Sequence, residues 1–544
     1  MTAGVEQANA DSRLFARTAT GLIRGIPPRS SLILNTIPGH PTQTMAAVLL
    51  FALATNPGGN LYLGLLLVVP MVLSFSYAFG LLTQMIPRDG GDYMLVSRGL
   101  HPSLGLISSI CMTIANLLSN AYFGLAVVLA GISPLCVAVG LIGHHPGLVT
   151  WGFHISTSKG WLIFFGSAMF VLAAAIQLGG WRWLLRIQNA FFGMITAALL
   201  IAVGIALFTP KHRFIQDFNG FAEPYTKHPN AYHDTIAAAI KAGVPVHPAF
   251  SLGHTLPLVG VLATTAIYSF WSTFVGGELR QASTIKTANN MALGGIVPMI
   301  LVALAALVFF NAFGADFLRA ANANGLPSAI SVPGTPFFFL TAISVGSTAF
   351  AVFIFILYIV FWPLIMYVST LQQTRMLFAY SFDGILPKQI TRVNRHGCPW
   401  VALLITVLLS CGALVWAVYV AQNFFKVLAY STLITMIPLA LVGVAGVLVP
   451  LVRPALYRAS ASQKAIAGVP IVRIAGLGAI ISSCCIWFIY IHYANLGIRS
   501  DLRTFFLWSG GSVLAGVAFF CTVFALRRWQ GRDLGLVYRE IPPE

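Results

Sequence analysis

The sequence predicts an all-α integral membrane protein with about 12 transmembrane helices. Of its 544 residues 58% are hydrophobic and only 8% charged, against roughly a quarter charged in soluble domains. Apolar runs long enough to cross a hydrocarbon core, about 20 helical residues, recur along nearly the whole chain. All 14 acidic residues fall in termini, loops or helix ends.

Residues 1–30 form a polar segment with Arg13, Arg17, Arg24 and Arg29. It has no apolar stretch ending in a small-residue cleavage site, so no removable secretory signal is expected. The apolar runs then fall at about 31–54, 61–86, 104–132, 161–178, 184–208, 253–276, 292–314, 337–372, 400–420, 428–450, 470–495 and 504–526. The eighth is too long for one straight span, so either its first turns lie outside the hydrocarbon or the helix tilts. This divides the chain into a leading segment 1–30, spans one to five in 31–208, a loop 209–252, spans six to ten in 253–450, spans eleven and twelve in 451–526, and a tail 527–544. The loop is too polar to cross a membrane and is expected to form a partly ordered extracellular cap.

With the N-terminus in the cytoplasm, 22 of the 31 Lys and Arg residues fall inside, as the positive-inside bias requires. Both termini are then cytoplasmic. The formal charge of +17 is scattered through short interhelical segments, which argues against a nucleic-acid partner. Six of the seven cysteines lie in apolar spans and Cys398 lies in a loop; no disulfide, metal site or cofactor is expected.

The absence of mid-span carboxylates disfavours a carboxylate-driven pump or a polyamine carrier, because such groups serve as proton relays and counter-ions to cations. A zwitterionic or neutral substrate fits better. The strongest local feature is Asn35-Thr36-Ile37-Pro38-Gly39-His40-Pro41-Thr42-Gln43, where two prolines and a glycine interrupt the first span. A helix broken there frees backbone groups that protein, water or a ligand must satisfy. Thr36, Ile37, Gly39, His40 and Thr42 are therefore candidate ligands to the ammonium and carboxylate of an amino acid; the alternative is a kink without a ligand. His40, the one histidine near the middle of a span, is a candidate for proton coupling or carboxylate binding; alternatively it is neutral and bonded to the protein.

In the sixth span Tyr268, Ser269, Phe270 and Trp271 place hydroxyls and aromatics at mid-depth, as a substrate lid or as packing. Asn116 and Asn120 share a face of the third span and either line a cavity or bond to neighbouring helices. Ser369 and Thr370 are candidate sodium ligands or packing groups. The coupling ion, H+ or Na+, is open. The exterior histidines, from His144 to His254, make no metal signature. No phosphate-binding loop or nucleophile–base pair points to an enzyme.

Three segments resemble amino acid–polyamine–organocation (APC) superfamily transporters. Pro87-Arg88-Asp89-Gly90-Gly91-Asp92-Tyr93 resembles their Pro-x-x-Gly-Gly-x-Tyr after the second span, and Phe274-Val275-Gly276-Gly277-Glu278 their Phe-x-Gly-x-Glu at the sixth. Arg375-Met376-Leu377-Phe378-Ala379-Tyr380-Ser381-Phe382-Asp383-Gly384-Ile385-Leu386-Pro387, running on to Gly397-Cys398-Pro399, looks like the segment between spans eight and nine. The ending Ile541-Pro542-Pro543-Glu544 is similar to tails in the family.

The resemblance implies an inverted repeat of spans one to five against six to ten, with broken helices one and six around a central site and spans eleven and twelve peripheral. It also implies alternating access by movement of spans one, two, six and seven. Two departures matter. The usual Gly-rich break is replaced by Ile37-Pro38-Gly39-His40-Pro41, so carboxylate contacts do not carry over. Some proton-coupled relatives have a lysine in span five, whereas this chain has Arg186 near the cytoplasmic end and Gln188-Asn189 farther in. The expected function is secondary transport of an amino acid or closely related zwitterion across a prokaryotic plasma membrane. The alternative is a transporter-derived sensor or structural subunit without net flux; a channel is disfavoured by the lack of a charged ring or filter repeat.

Overall fold

The computed structural model describes residues 22, 24–47, 53–333, 337–421, 424–460, 463–493, 499–531, 534 and 538. Arg13, Arg17, the end of the first span and the tail Ile541–Glu544 lie outside the described residues. Among the described residues, eleven helices are long and apolar enough to cross a membrane, and a two-residue hairpin pairs Ala465–Ile466 with Val469–Pro470.

Span 1 is split into helices Pro28–Thr36 and Pro41–Ala47. Span 2 is Leu61–Met85, capped by Asn60, whose side chain accepts from the Leu63 N–H. Span 3 starts at Pro102 and runs through a π-helical stretch, Val127–Ile132, to Ile142. Spans 4 and 5 are Lys159–Leu178 and Gly180–Leu207. Span 6 is α-helical over Leu252–Ala266 and continues in 3-10 turns at Trp271–Phe274 and Gly276–Glu278. Span 7 starts at Ile285.

The long eighth run resolves into a separate helix Phe337–Val345, a turn at Gly346 with φ +65°, and span 8 over Thr348–Ile359 and Phe361–Phe382. Spans 9 to 12 begin at Trp400, Phe424, Ile471 and Leu502. The polar 209–252 segment folds into helices Lys211–Thr226 and Ala231–Lys241. Below, the end of the bundle that the charge bias assigns to the cytoplasm is the inner end.

The packing of the first ten spans maps onto itself when five is added to each number. Span 3 packs on span 10 as span 8 does on span 5, span 4 on span 8 as span 9 on span 3, and span 1 on span 7 as span 6 on span 2. An odd number of crossings per unit makes two such units opposite in direction, the arrangement of an inverted repeat. Spans 11 and 12 lie outside it, against spans 2 and 10 and span 3 respectively. Small residues permit the tightest contacts: a Cβ on Gly80 of span 2 would fall 2.4 Å from the Ala288 Cα of span 7.

Candidate functional site

Two helix breaks, in spans 1 and 6, meet. In span 1 the Ile37 N–H closes the first half-helix on the Ile33 carbonyl at 3.1 Å, and the chain unwinds through Pro38 and Gly39. Neither the Thr36 and Pro38 carbonyls nor the Gly39 N–H has a hydrogen-bond partner among the described residues. Gly39 lies against the last turn of the span 6 helix, where an added Cβ would stand 2.9 Å from the Thr265 carbonyl oxygen. The Asn35 side chain joins the breaks by accepting the Ser272 N–H at 2.8 Å.

His40 caps the second half-helix. Its carbonyl accepts the Gln43 and Thr44 N–H groups at 3.0 and 3.1 Å, and its Nδ1 accepts the Thr42 N–H at 3.3 Å. Nε2 lies 3.2 Å from the Thr196 hydroxyl, whose own hydrogen goes to the Phe192 carbonyl at 2.7 Å. These partners select the neutral Nε2–H tautomer, with both ring nitrogens used by the protein. The N–H groups that open this half-helix are therefore already satisfied, and Gly39 supplies the free donor at the break.

The other predicted residues separate into distinct roles. The Thr36 hydroxyl bonds back to Leu32 O at 2.8 Å, Ile37 is buried, and the Thr42 hydroxyl faces Ile195 O of span 5 at 3.5 Å. In span 6, Ser269 bonds to Ser76 of span 2 at 2.8 Å and Phe270 stacks on Phe79 with centroids 4.1 Å apart; both face bundle packing. Tyr268 is part-exposed and faces Thr432 and Thr435 of span 10. Trp271 is buried, and its indole N–H has no partner among the described residues.

Asn116 and Asn120 bond to spans 8 and 9. The Asn116 amide donates to Ser369 O at 3.0 Å, the Ser369 hydroxyl bonds to both asparagines, and Asn120 donates to Ser410 at 2.8 Å. The Thr370 hydroxyl accepts from Gln177 at 2.7 Å and bonds back to Met366 O. Ser369 and Thr370 thus tie spans 3, 4, 8 and 9 together. Spans 1, 2, 6 and 7 are likewise cross-bonded, through Ser76–Ser269, Thr83–Thr273 at 3.1 Å, Asn35–Ser272 and Asn290 to Pro28 O at 3.0 Å. Hydrogen bonds thus tie spans 1, 2, 6 and 7 into a bundle and spans 3, 4, 8 and 9 into a scaffold, while His40–Thr196, Thr42–Ile195 and Gln188–Ser30 link span 1 to span 5 across the two.

The groups are joined more strongly, by charged side chains, at the inner end. Glu278 is buried, accepts two bonds from Arg375 at 3.0 and 3.1 Å, and a third from the Trp181 indole at 3.1 Å. The strand-like tail of span 6 is flanked by Ile26 and by Asp89, through bridges Ile26–Leu279 and Asp89–Val275. Asp89 Oδ1 accepts the Gly277 N–H at 2.8 Å. Burial, then the neighbouring Glu278 carboxylate, raises the Asp89 carboxyl well above the usual range against the pull of Arg375. Glycines allow the close approach: a Cβ on Gly276 would sit 2.7 Å from Arg88 O, and one on Gly91 (φ +55°) 2.2 Å from the Phe274 ring. Gly90 also has positive φ, +114°.

Beside this seal, Asp383 accepts from Arg98 at 2.7 Å and from the Tyr93 hydroxyl at 2.5 Å. Tyr538 of the tail bonds Tyr93 at 3.0 Å and lies 4.6 Å from Arg98 across its ring. Gly384 turns the chain with φ +77°, and Pro387 O accepts the Ser381 hydroxyl at 2.6 Å. The motif residues therefore assemble into one inner-end structure. Sequence reasoning missed Trp181 and Tyr538 as members and read Asp89 only as part of a family segment; none of the three gives a signal of its partners until the fold brings them together.

A comparison with curated proteins finds no match. The family described as amino acid permease matches residues 30–508, which include both breaks, the Glu278–Arg375–Trp181 contact and all the predicted site residues. The chain belongs to this amino acid permease family of transporters and is a multi-pass membrane protein that carries amino acids or related substrates.

Proposed function

We propose that the chain is a secondary transporter working by alternating access, with import or exchange of a zwitterionic, apolar or aromatic amino acid across a prokaryotic plasma membrane. In this reading both termini are cytoplasmic and the substrate sits between the span 1 break and Tyr268–Trp271. The observation that carries it is the meeting of the unpaired Thr36 and Pro38 carbonyls and Gly39 N–H with the end of the span 6 helix. Carbonyls there suit an ammonium, and the Gly39 N–H suits a carboxylate oxygen. Ser269 and Phe270 pack on span 2, so Tyr268 and Trp271 are the residues that cover the substrate.

The two hydrogen-bonded groups supply the moving parts. Rocking the bundle of spans 1, 2, 6 and 7 against the rest opens the inner end once Glu278 leaves Arg375 and Trp181. Ser369 and Thr370 spend their hydroxyls on scaffold bonds, which weakens a sodium role for them. The test is thermal unfolding of the purified protein against a panel of amino acids, amines and organic acids, followed by counterflow in vesicles. Stabilisation and counterflow by the same amino acid are expected. Ligand binding without counterflow would instead favour a sensor.

A further inference from the structure

Asp92 lies in the inner-end helix Gly91–Gly99, which connects span 2 of the bundle to span 3 of the scaffold. Its side chain is fully buried. Oδ2 accepts the Ser108 hydroxyl of span 3 at 2.6 Å, while Oδ1 has no partner among the described residues. Nearby cations are engaged elsewhere: Arg98 on the same helix pairs with Asp383 at 2.7 Å, and Arg375 pairs with Glu278 at 3.0 Å.

The titratable groups facing Asp92 are Cys111 of span 3 and Tyr380 of span 8, and neither supplies a positive charge. Tyr93, its neighbour in the helix, turns its hydroxyl to Asp383. Spans 2 and 10 and the Trp271–Phe274 turn also pack on this helix, and no cation from them is bonded to Asp92 among the described residues. The Ser108 hydroxyl and the N–H groups of Asp92 and Tyr93 favour the carboxylate. Burial outweighs them, and the Asp92 carboxyl is pushed up to about 7.

We propose that Asp92 is a proton-binding site that takes up one proton from the inner aqueous phase when the inner end closes and returns it when that end opens. The carboxylate becomes a carboxylic acid and the chain gains one positive charge at this site; Asp89, also raised by burial at the inner end, is a second and separate carboxyl there. This rests on the alternating-access reading, because the helix bearing Asp92 joins the two parts that move.

An open inner end hydrates the carboxyl and returns it to about 3.9. Closing is then favoured increasingly as pH falls from about 7 towards 3.9, and the advantage disappears above about 7. Between pH 8 and pH 6 the closed-to-open ratio should rise about tenfold.

Hydrogen–deuterium exchange of the full chain, corrected for intrinsic pH dependence, reads this ratio at Gly91–Gly99 and Gly276–Glu278. The wild type should open about tenfold less at pH 6 than at pH 8, and Asp92→Asn should lose this tenfold difference, keeping only what Asp89 contributes. Ser108→Ala, which removes a donor to the charged form, should move the transition to higher pH. A pH-independent wild type, or an unchanged transition in Asp92→Asn, overturns the site. If Asp92→Asn does not fold, an unmoved transition in Ser108→Ala overturns it instead. Counterflow of the amino acid in vesicles separates the two readings: intact counterflow with flat exchange defeats the proton site alone, and lost counterflow with pH-dependent opening defeats the transport reading alone.

Discussion

Replacing Glu278 by Gln removes one charge from the inner seal while keeping its shape. In the structure the Glu278 carboxylate takes three bonds, two from Arg375 and one from Trp181, with its side chain 0% and that of Arg375 4% exposed. Breaking a buried pair by removing one partner costs about 3–5 kcal/mol, because the remaining charge stays desolvated. Among the described residues the Arg375 Nη1 has no hydrogen-bond partner, so the guanidinium has little to fall back on. If the pair exists only with the inner end closed, the whole cost falls on that state. At tenfold per 1.4 kcal/mol, opening should rise roughly a hundredfold to a few thousandfold.

Cys398 is a built-in reporter: it is 3% exposed and lines the same cavity as Arg375, Trp181 and Gln177, and burial holds its thiol above the ordinary range. Maleimide labelling followed by peptide mass spectrometry should show faster modification of Cys398 in Glu278→Gln, with Cys111 and Cys136 unchanged as internal controls. Adding Arg375→Gln should partly restore the slow rate, since no orphan charge then remains. Equal labelling of Cys398 in wild type and Glu278→Gln would refute the assignment of this pair as what holds the inner end shut.

Further outcomes follow from the same geometry. Gly39→Ala places a methyl 2.9 Å from a backbone carbonyl that cannot swing aside; counterflow and ligand-induced stabilisation should be lost while the unliganded protein stays folded, and wild-type counterflow would count against the central site. His40→Ala should lower the thermal midpoint through loss of a cap contributing about 0.5–2 kcal/mol, yet leave the shape of the uptake pH profile unchanged; a displaced profile would restore His40 as a proton carrier. Asn116→Ala removes two scaffold bonds with Ser369, so it should cost about 1–3 kcal/mol of stability without changing the KM for substrate, and a large KM change would bring Asn116 into the site.

The span pattern was legible because hydrophobic length reports directly on the bilayer. The span 1 break was legible as well, since Pro38 and Pro41 cannot continue a helical ladder. The span 6 break was different: Ile267–Val275 contains neither proline nor glycine, and its unwinding depends on partners from other spans, such as the Asn35 oxygen that accepts the Ser272 N–H. Spacing put Asn116 and Asn120 on one face of span 3, but only the fold shows that this face meets Ser369 and Ser410. Charged loop residues were the least readable. Asp92 and Arg98 sit in a polar stretch that reads as solvated, and their burial arises from span 8, span 10 and the tail closing over them. Local pattern carries the elements; the chemistry at the inner end comes from segments hundreds of residues apart.

That separation along the chain bears on how the protein is made. Glu278 precedes its partner Arg375 by 97 residues, which at ordinary elongation rates is about 5–20 s of synthesis. Throughout that interval the carboxylate lacks the Arg375 guanidinium, although Ile26 and Asp89, the residues that flank the tail of span 6, are already made. The Glu278 pair can therefore close only when the end of span 8 arrives, and Tyr538 of the tail joins Tyr93 and Arg98 later still. A chain stalled before Arg375 would leave the Glu278 carboxylate without the guanidinium that neutralises it in the folded protein.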